Sequence, residues 1–316
     1  MKNKIQAYIF GIVLSGITTL AAVNTASAQE AGYFNHTFLQ PVLFNPGATG
    51  FQGDHQLLAG YKHQWSDFPD APVTFTALYN GSFAGNMGLG FQVLSDQVGV
   101  SQLLHGQLNY AYRFSFDNVV LSTGISAGLQ TFKIKDTQDD PLIDPTDVLL
   151  NEAIDGYMLF DGGVGVYGEV DQKLFFGVSF PNLIKNRLTD ISGDINLPDF
   201  ETFSYAFLLG YRFDVKNYDF TIEPSLTVKD LRYSPFLIDA NLKFSFLDEQ
   251  LVGGIGYSIG DNSRASLLLG TRINRLRIFY SYDVSLGDFQ QYNNGSHELT
   301  LVYRIPGKAV STPPAE

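Results

Sequence analysis

The chain contains no cysteine in 316 residues. Disulfides, thiolate metal sites and a cysteine nucleophile are therefore excluded, and so is lipoprotein anchoring, which acylates a cysteine after the cleavage site. Basic residues are few, 20 Lys and Arg against 32 Asp and Glu, for a net charge of −12. A nucleic-acid partner would demand a basic face, so that class is excluded too. Only five histidines occur, His36, His55, His63, His105 and His297. With no H-E-x-x-H, G-x-S-x-G or Walker-type loop, neither catalysis nor a cofactor is expected. No apolar run after Ala22 approaches the ~20 residues of a membrane helix. A membrane barrel survives this test, because its strands need only about 10 residues with one apolar face.

Aromatics and glycine are abundant instead: 26 Phe, 17 Tyr and 31 Gly against one Trp. At the N-terminus, Lys2 and Lys4 precede an apolar run from Ile5 to Ala22 and then Ala26-Ser27-Ala28. This order of positive, apolar and small residues predicts a signal peptide over residues 1–28, with cleavage after Ala28.

From Asp54 onward, alternation dominates. Met87, Leu89, Phe91 and Val93 alternate with Asn86, Gly88, Gly90 and Gln92; Leu104, Leu108, Tyr110, Tyr112 and Phe114 alternate with His105, Gln107, Asn109, Ala111 and Arg113. Period two with one apolar face is a strand signal. About fourteen such segments fit between residues 54 and 305, an even number as in bacterial barrels with both ends in the periplasm. The predicted fold is all-β: a transmembrane antiparallel β-barrel in the outer membrane, facing lipid, with an N-terminal plug-like segment.

The links support the closed topology. Longer ones are expected at Trp65–Ala71, Ser95–Gly99, Ile134–Gly156, Pro181–Phe200, Lys229–Ser234, Gly260–Ser263 and Leu286–Gly295. Between them fall tight turns at Phe83-Ala84, Ser115–Asn118, Val170–Gln172, Asp214–Asn217, Leu247–Glu249 and Ile273–Arg275. Such barrels alternate short periplasmic turns with longer external loops, whereas a β-sandwich has no reason to do so. Tyr79, Phe83, Tyr112, Phe114, Tyr211, Phe213, Tyr218 and Tyr303 fall at strand ends beside the tight turns, as an interfacial girdle requires.

Residues 29–53 carry Pro41, Pro46, Gly47, Gly50 and Gly53 and little alternation. This segment is expected either to plug the lumen or to lie beneath it. Residues 306–316, with three prolines, are expected to form a disordered periplasmic tail. The acidic run Asp136, Asp139, Asp140, Asp144 and Asp147 lacks the spacing of an EF-hand and reads as a solvated loop. A phospholipase-type site would need a Ser–His pair, and Ser122 and Ser126 lie on a strand with no histidine assigned beside them.

Several motifs go beyond architecture. They are Tyr33 to Gly50 with its Asn45-Pro46-Gly47-Ala48, then Tyr61-Lys62-His63-Gln64-Trp65, Glu223-Pro224-Ser225 with Lys229, Tyr280-Ser281-Tyr282-Asp283, and Gly295-Ser296-His297-Glu298. In this order they resemble the PorP/SprF family of Bacteroidetes outer-membrane proteins, although Gly47 stands where alanine is usual and Lys62-His63 replaces an arginine-led pair. The resemblance implies a role in type IX secretion and gliding motility, with secreted surface proteins bearing type IX C-terminal domains, such as adhesins, and periplasmic type IX components as partners. It makes Phe34, Phe38, Phe44, Asn45, Pro46, His297 and Glu298 the candidate partner-binding residues. The alternative is a passive channel or a transporter of hydrophobic compounds, since fold does not fix function.

Overall fold

The computed structural model describes residues 35–135, 154–188, 204–215, 219–231, 236–260 and 263–307. The signal peptide expected over residues 1–28, Tyr33, Phe34, Tyr218, the acidic loop Asp136–Asp147, the far part of the Pro181–Phe200 link and the tail after Gly307 lie outside these residues.

The strands are β1 (His55–His63), β2 (Val73–Phe83), β3 (Met87–Val98), β4 (Ser101–Ser115), β5 (Val119–Ile134), β6 (Tyr157–Val170), β7 (Leu174–Arg187), β8 (Tyr205–Tyr211), β9 (Phe213–Val215), β10 (Phe220–Asp230), β11 (Leu237–Phe246), β12 (Leu251–Ile259), β13 (Arg264–Ile273), β14 (Leu276–Ser285) and β15 (Ser296–Ile305). Each pairs antiparallel with its neighbours, and β15 pairs with β1. Strands β8 and β9 both pair with β10 and form one strand interrupted at Arg212. The pairing of β10 with β11 completes the circle, so the sheet is a closed barrel of fourteen staves with no free edge.

Alternation sorts side chains between lipid and lumen. In β1, Gln56, Leu58, Gly60 and Lys62 are buried while Leu57, Ala59 and Tyr61 are exposed. The same phase leaves Leu104, Leu108, Ile125, Leu129, Leu209, Ile255, Leu267 and Leu269 about half exposed on the outer surface. An apolar belt of this extent is stable only against lipid. Pairs of rings mark its edge beside the tight turns: Tyr112 with Phe114 at 5.0 Å, Tyr211 with Phe213 at 4.5 Å, and Phe220 with Phe246 at 4.5 Å.

Parts of two expected links are strand instead. β3 runs to Val98 and β4 begins at Ser101, because Ser95–Val98 pair with Ser101–Leu104. The hairpin therefore closes on Gly99-Val100, with Gly99 at φ 58°. Likewise β7 continues through Pro181 to Arg187. A bulge between Gly162 and Val164 shifts the register opposite the proline, and Asn182 takes φ 57°. Proline lacks the donor that a regular ladder needs, and a bulge is where a strand tolerates that loss.

The apolar core lies inside the barrel. Residues 35–53 form three short 3-10 turns, Asn35–Phe38, Pro41–Leu43 and Pro46–Ala48. Val42, Phe44, Ala48 and Phe51 pack with the inward Leu58, Leu78, Tyr167, Phe175, Ala206 and Leu208 in one cluster.

Candidate functional site

The segment around Asn45 lies against a row of wall glycines. The Asn45 side chain accepts from Gly47 N and donates through Nδ2 to Val166 O, both at 2.9 Å. Asn45 thus caps the last 3-10 turn, with Pro46 at its first position. A methyl group added at Gly165 would stand 2.1 Å from Asn45 Oδ1, at Gly124 2.4 Å from Pro46 O, and at Gly88 2.0 Å from Thr49 O. The wall can admit this backbone only because β3, β5 and β6 carry glycine at those inward positions. Gly47 itself sits close enough that a Cβ would lie 2.9 Å from Gly165 O and Tyr167 N, so the residue usual in the family, alanine, would need a local shift. Gly50 N donates to Asn80 Oδ1 at 2.7 Å, and Arg113 Nη1 donates to Phe51 O at 2.7 Å while Nη2 reaches Gly85 O.

The first turn is held from the opposite side. His36 N donates to Glu298 Oε1 at 3.0 Å, and His36 Nδ1 lies 2.8 Å from Thr300 Oγ1. Burial pushes the His36 imidazole below its ordinary range, against the opposing pull of the Glu298 carboxylate. Lys62 stands opposite Glu298 in the β1–β15 register. Because successive residues of a strand face opposite sides, Glu298 points inward and His297 outward, where its Nδ1 lies 2.7 Å from the Tyr280 hydroxyl.

Of the sequence candidates, the fold thus gathers Phe44, Asn45, Pro46 and Glu298 into the buried interior. Phe38 borders an internal cavity, and His297 stands apart on the outer face near the long-loop rim. The motifs that carry the resemblance converge on the lumen: Lys62, Glu223, Ser225, Lys229, Ser281, Asp283, Ser296 and Glu298 all occupy inward positions.

Opposite the glycine row, β8 to β15 carry a ribbon of alternating charges. Arg212 Nε donates to Glu223 at 3.0 Å; Lys243 lies 3.1 Å from Glu223 and 3.4 Å from Glu249; Arg277 lies 2.5 Å from Glu249. Arg304 continues the ribbon to Asp54. Deeper in, Lys229, 1 % exposed, lies 2.8 Å from Asp239, which also accepts from Ser258 at 2.6 Å. Between ribbon and segment lies a cavity of about 330 Å³ near the tight-turn end, bordered by Phe38, Gln40, Glu169, Arg212, Ser225 and Ser245 among others.

None of this ribbon was among the sequence candidates, nor was His105, whose Nε2 lies 2.9 Å from Asp161 across β4 to β6. The available signal was charge at inward-phase positions, which alternation alone reads as a wet lumen. At the long-loop end two links are tied together: Ser66 N donates to Gly295 O at 2.8 Å and Asn294 N to Ser66 O at 2.9 Å. Phe68, Leu286 and Tyr292 project exposed from this pair of loops.

No curated protein matches the sequence. Among solved structures, the chain is similar to a TodX deltaS2S3 mutant monoaromatic hydrocarbon channel, with 9% identity, a TM-score of 0.50, and coverage of 88% of this chain and 96% of that one. The Pseudomonas putida toluene transporter TodX gives 9% identity, a TM-score of 0.48 and coverage of 87% and 94%. A KdgM porin in complex with disordered oligogalacturonate gives 10%, 0.39, and 78% and 98%. At 9% identity the likeness to the TodX deltaS2S3 mutant shows the outer-membrane barrel fold alone. Residues 26–303 match the family described as type IX secretion system membrane protein PorP/SprF, so the chain belongs to that family and its barrel resides in the outer membrane.

Proposed function

We propose that this barrel serves type IX secretion as a closed anchor. Its long-loop end retains secreted surface proteins that bear type IX C-terminal domains, and its tight-turn end meets periplasmic components of the machinery. The observation that carries the closed state is the glycine seat: Gly88, Gly124 and Gly165 let the backbone of residues 45–49 lie directly against the wall. A segment held at backbone level and by buried hydrogen bonds acts as a plug, and a plugged barrel suits retention better than diffusion. Phe44, Asn45, Pro46 and Glu298 then serve by holding the plug in place. Contact with secreted proteins falls to the tied loops at the long-loop end, where Phe68, Leu286 and Tyr292 are exposed. Family membership supports the secretion role.

A transporter of hydrophobic compounds is the weaker reading, because the ion-paired ribbon makes one side of the lumen a poor path for apolar solutes. Two measurements test the anchor. Affinity capture from native membranes is expected to bring down large secreted surface proteins or periplasmic type IX components, and the purified barrel is expected to be silent in a planar bilayer. Steady conductance, together with capture of the barrel alone, would overturn the reading.

A further inference from the structure

The cavity at the tight-turn end has the features of a ligand site. Its volume, about 330 Å³, stands at the lower end of the range for small-molecule sites. On one side run the inward residues of β10 and β11, in the cross-strand pairs Thr221–Ser245, Glu223–Lys243 and Ser225–Asn241. On the other stand Phe38, Leu39 and Val42 of the N-terminal segment. Ser225 and Ser245 border this space at 9% and 6% exposure, and the Oγ atoms of both lack a hydrogen-bond partner. A buried hydroxyl left unsatisfied is costly, so these two require either water or a ligand's polar groups.

The electrostatics narrow the ligand class. Each cation of the lining is already matched: Arg212 and Lys243 with Glu223, Arg277 with Glu249, and Arg304 with Asp54. Among the described residues an anion finds no unmatched positive charge there. An apolar solute would displace water from Ser225, Ser245 and the ribbon without replacing its hydrogen bonds, which loses affinity. A neutral solute with several hydroxyls can pair with Ser225 and Ser245 while laying an apolar face on Phe38 and Leu39. We propose that this cavity binds a neutral saccharide of one or two pyranose rings. The site needs the N-terminal segment in place, since Phe38, Leu39 and Val42 form one side of it, but it does not need the secretion role of the anchor reading.

Ligand-observed saturation-transfer NMR and calorimetry on the full chain, in a detergent without a sugar headgroup, test the proposal with cellobiose as probe. Saturable cellobiose binding is expected, at least tenfold weaker in the Ser225→Ala/Ser245→Ala double variant and lost in Ser245→Leu, which fills the cavity. Glucuronate and toluene are expected to leave no saturable signal. Heat-modifiable migration confirms that each variant is folded; if Ser245→Leu fails that check, the double variant alone decides. Absence of cellobiose binding would overturn the proposal. So would unchanged affinity in the double variant, or glucuronate or toluene binding as tightly as cellobiose.

Discussion

Strands β3–β7 and strands β10–β15 share one backbone geometry but present different inward faces. The first wall is lined by Gly88, Gly124 and Gly165, and the N-terminal segment lies on it with no room for a methyl group. The second wall is lined by Glu223, Lys229, Asp239, Lys243, Arg277 and Arg304, and a cavity separates its tight-turn half from the segment. Removing side chains lets backbone approach backbone, where shape and hydrogen bonds decide the fit. Keeping long charged side chains at the tight-turn half of the second wall leaves polar space there, while Glu298 of β15 holds the first turn of the segment. One lumen is therefore filled on one side and holds a polar cavity on the other.

The largest effect should come from filling the seat. Gly165→Leu places side-chain atoms where Asn45 Oδ1 now sits and breaks its hydrogen bonds to Val166 and Gly47. Overpacking and the orphaned groups together should cost roughly 3–5 kcal/mol, seen as a lower heat-modification midpoint and a protease-sensitive N-terminal segment. Gly253→Leu is the control, because a Cβ there meets nothing within 4 Å. Gly253 lies on the lipid face of β12 in phase with Leu251 and Ile255, so equal losses in the two variants would mean that the loss at Gly165 does not come from the seat.

A somewhat smaller effect tests the lumen–lipid assignment on which both walls depend. Leu89 is 44% exposed on the outer face of β3, and Leu89→Arg should cost about 2–4 kcal/mol of assembly. On the neighbouring strand, Gln107 is inward and only partly buried, so Gln107→Arg should fold nearly as well as the native chain. Matching refolding yields for the pair would mean that the assignment of faces is wrong.

Next in size is the charged wall. Glu223→Gln leaves Arg212 and Lys243 without their shared carboxylate and should destabilise the barrel by about 1–3 kcal/mol. The loss should appear in urea unfolding while the N-terminal segment stays protease-resistant. Release of the segment in this variant would couple the walls and blur the distinction between them. The smallest expected effect is Asn45→Ala, about 1 kcal/mol for a lost cap; it should loosen the segment without altering the urea midpoint of the barrel by more than that amount.

Much of this was legible from residues alone. Alternation at 87–93 and 104–114 fixed which side chains face lipid, because period two admits only two faces and one was apolar. The strand limits slipped at Ser95–Gly99 and at Pro181, where polar or breaker residues read as loop. There, ladder hydrogen bonds and a bulge outweighed local preference. His297-Glu298 reads as one unit in sequence, yet the pleat sends the two side chains to opposite sides of the wall.

The chain's own pattern determined the compartment class, the barrel and its strand number. These depend on short-range periodicity and on the absence of cysteines and apolar helices. Tertiary structure alone decided what the lumen contains. A wall glycine acquires its meaning only when Asn45 or Thr49 arrives from far along the chain. Likewise Glu223 becomes part of a ribbon only when register sets it beside Arg212 and Lys243. Such contacts depend on how strands align around the closed barrel, and no periodicity in the sequence records that alignment.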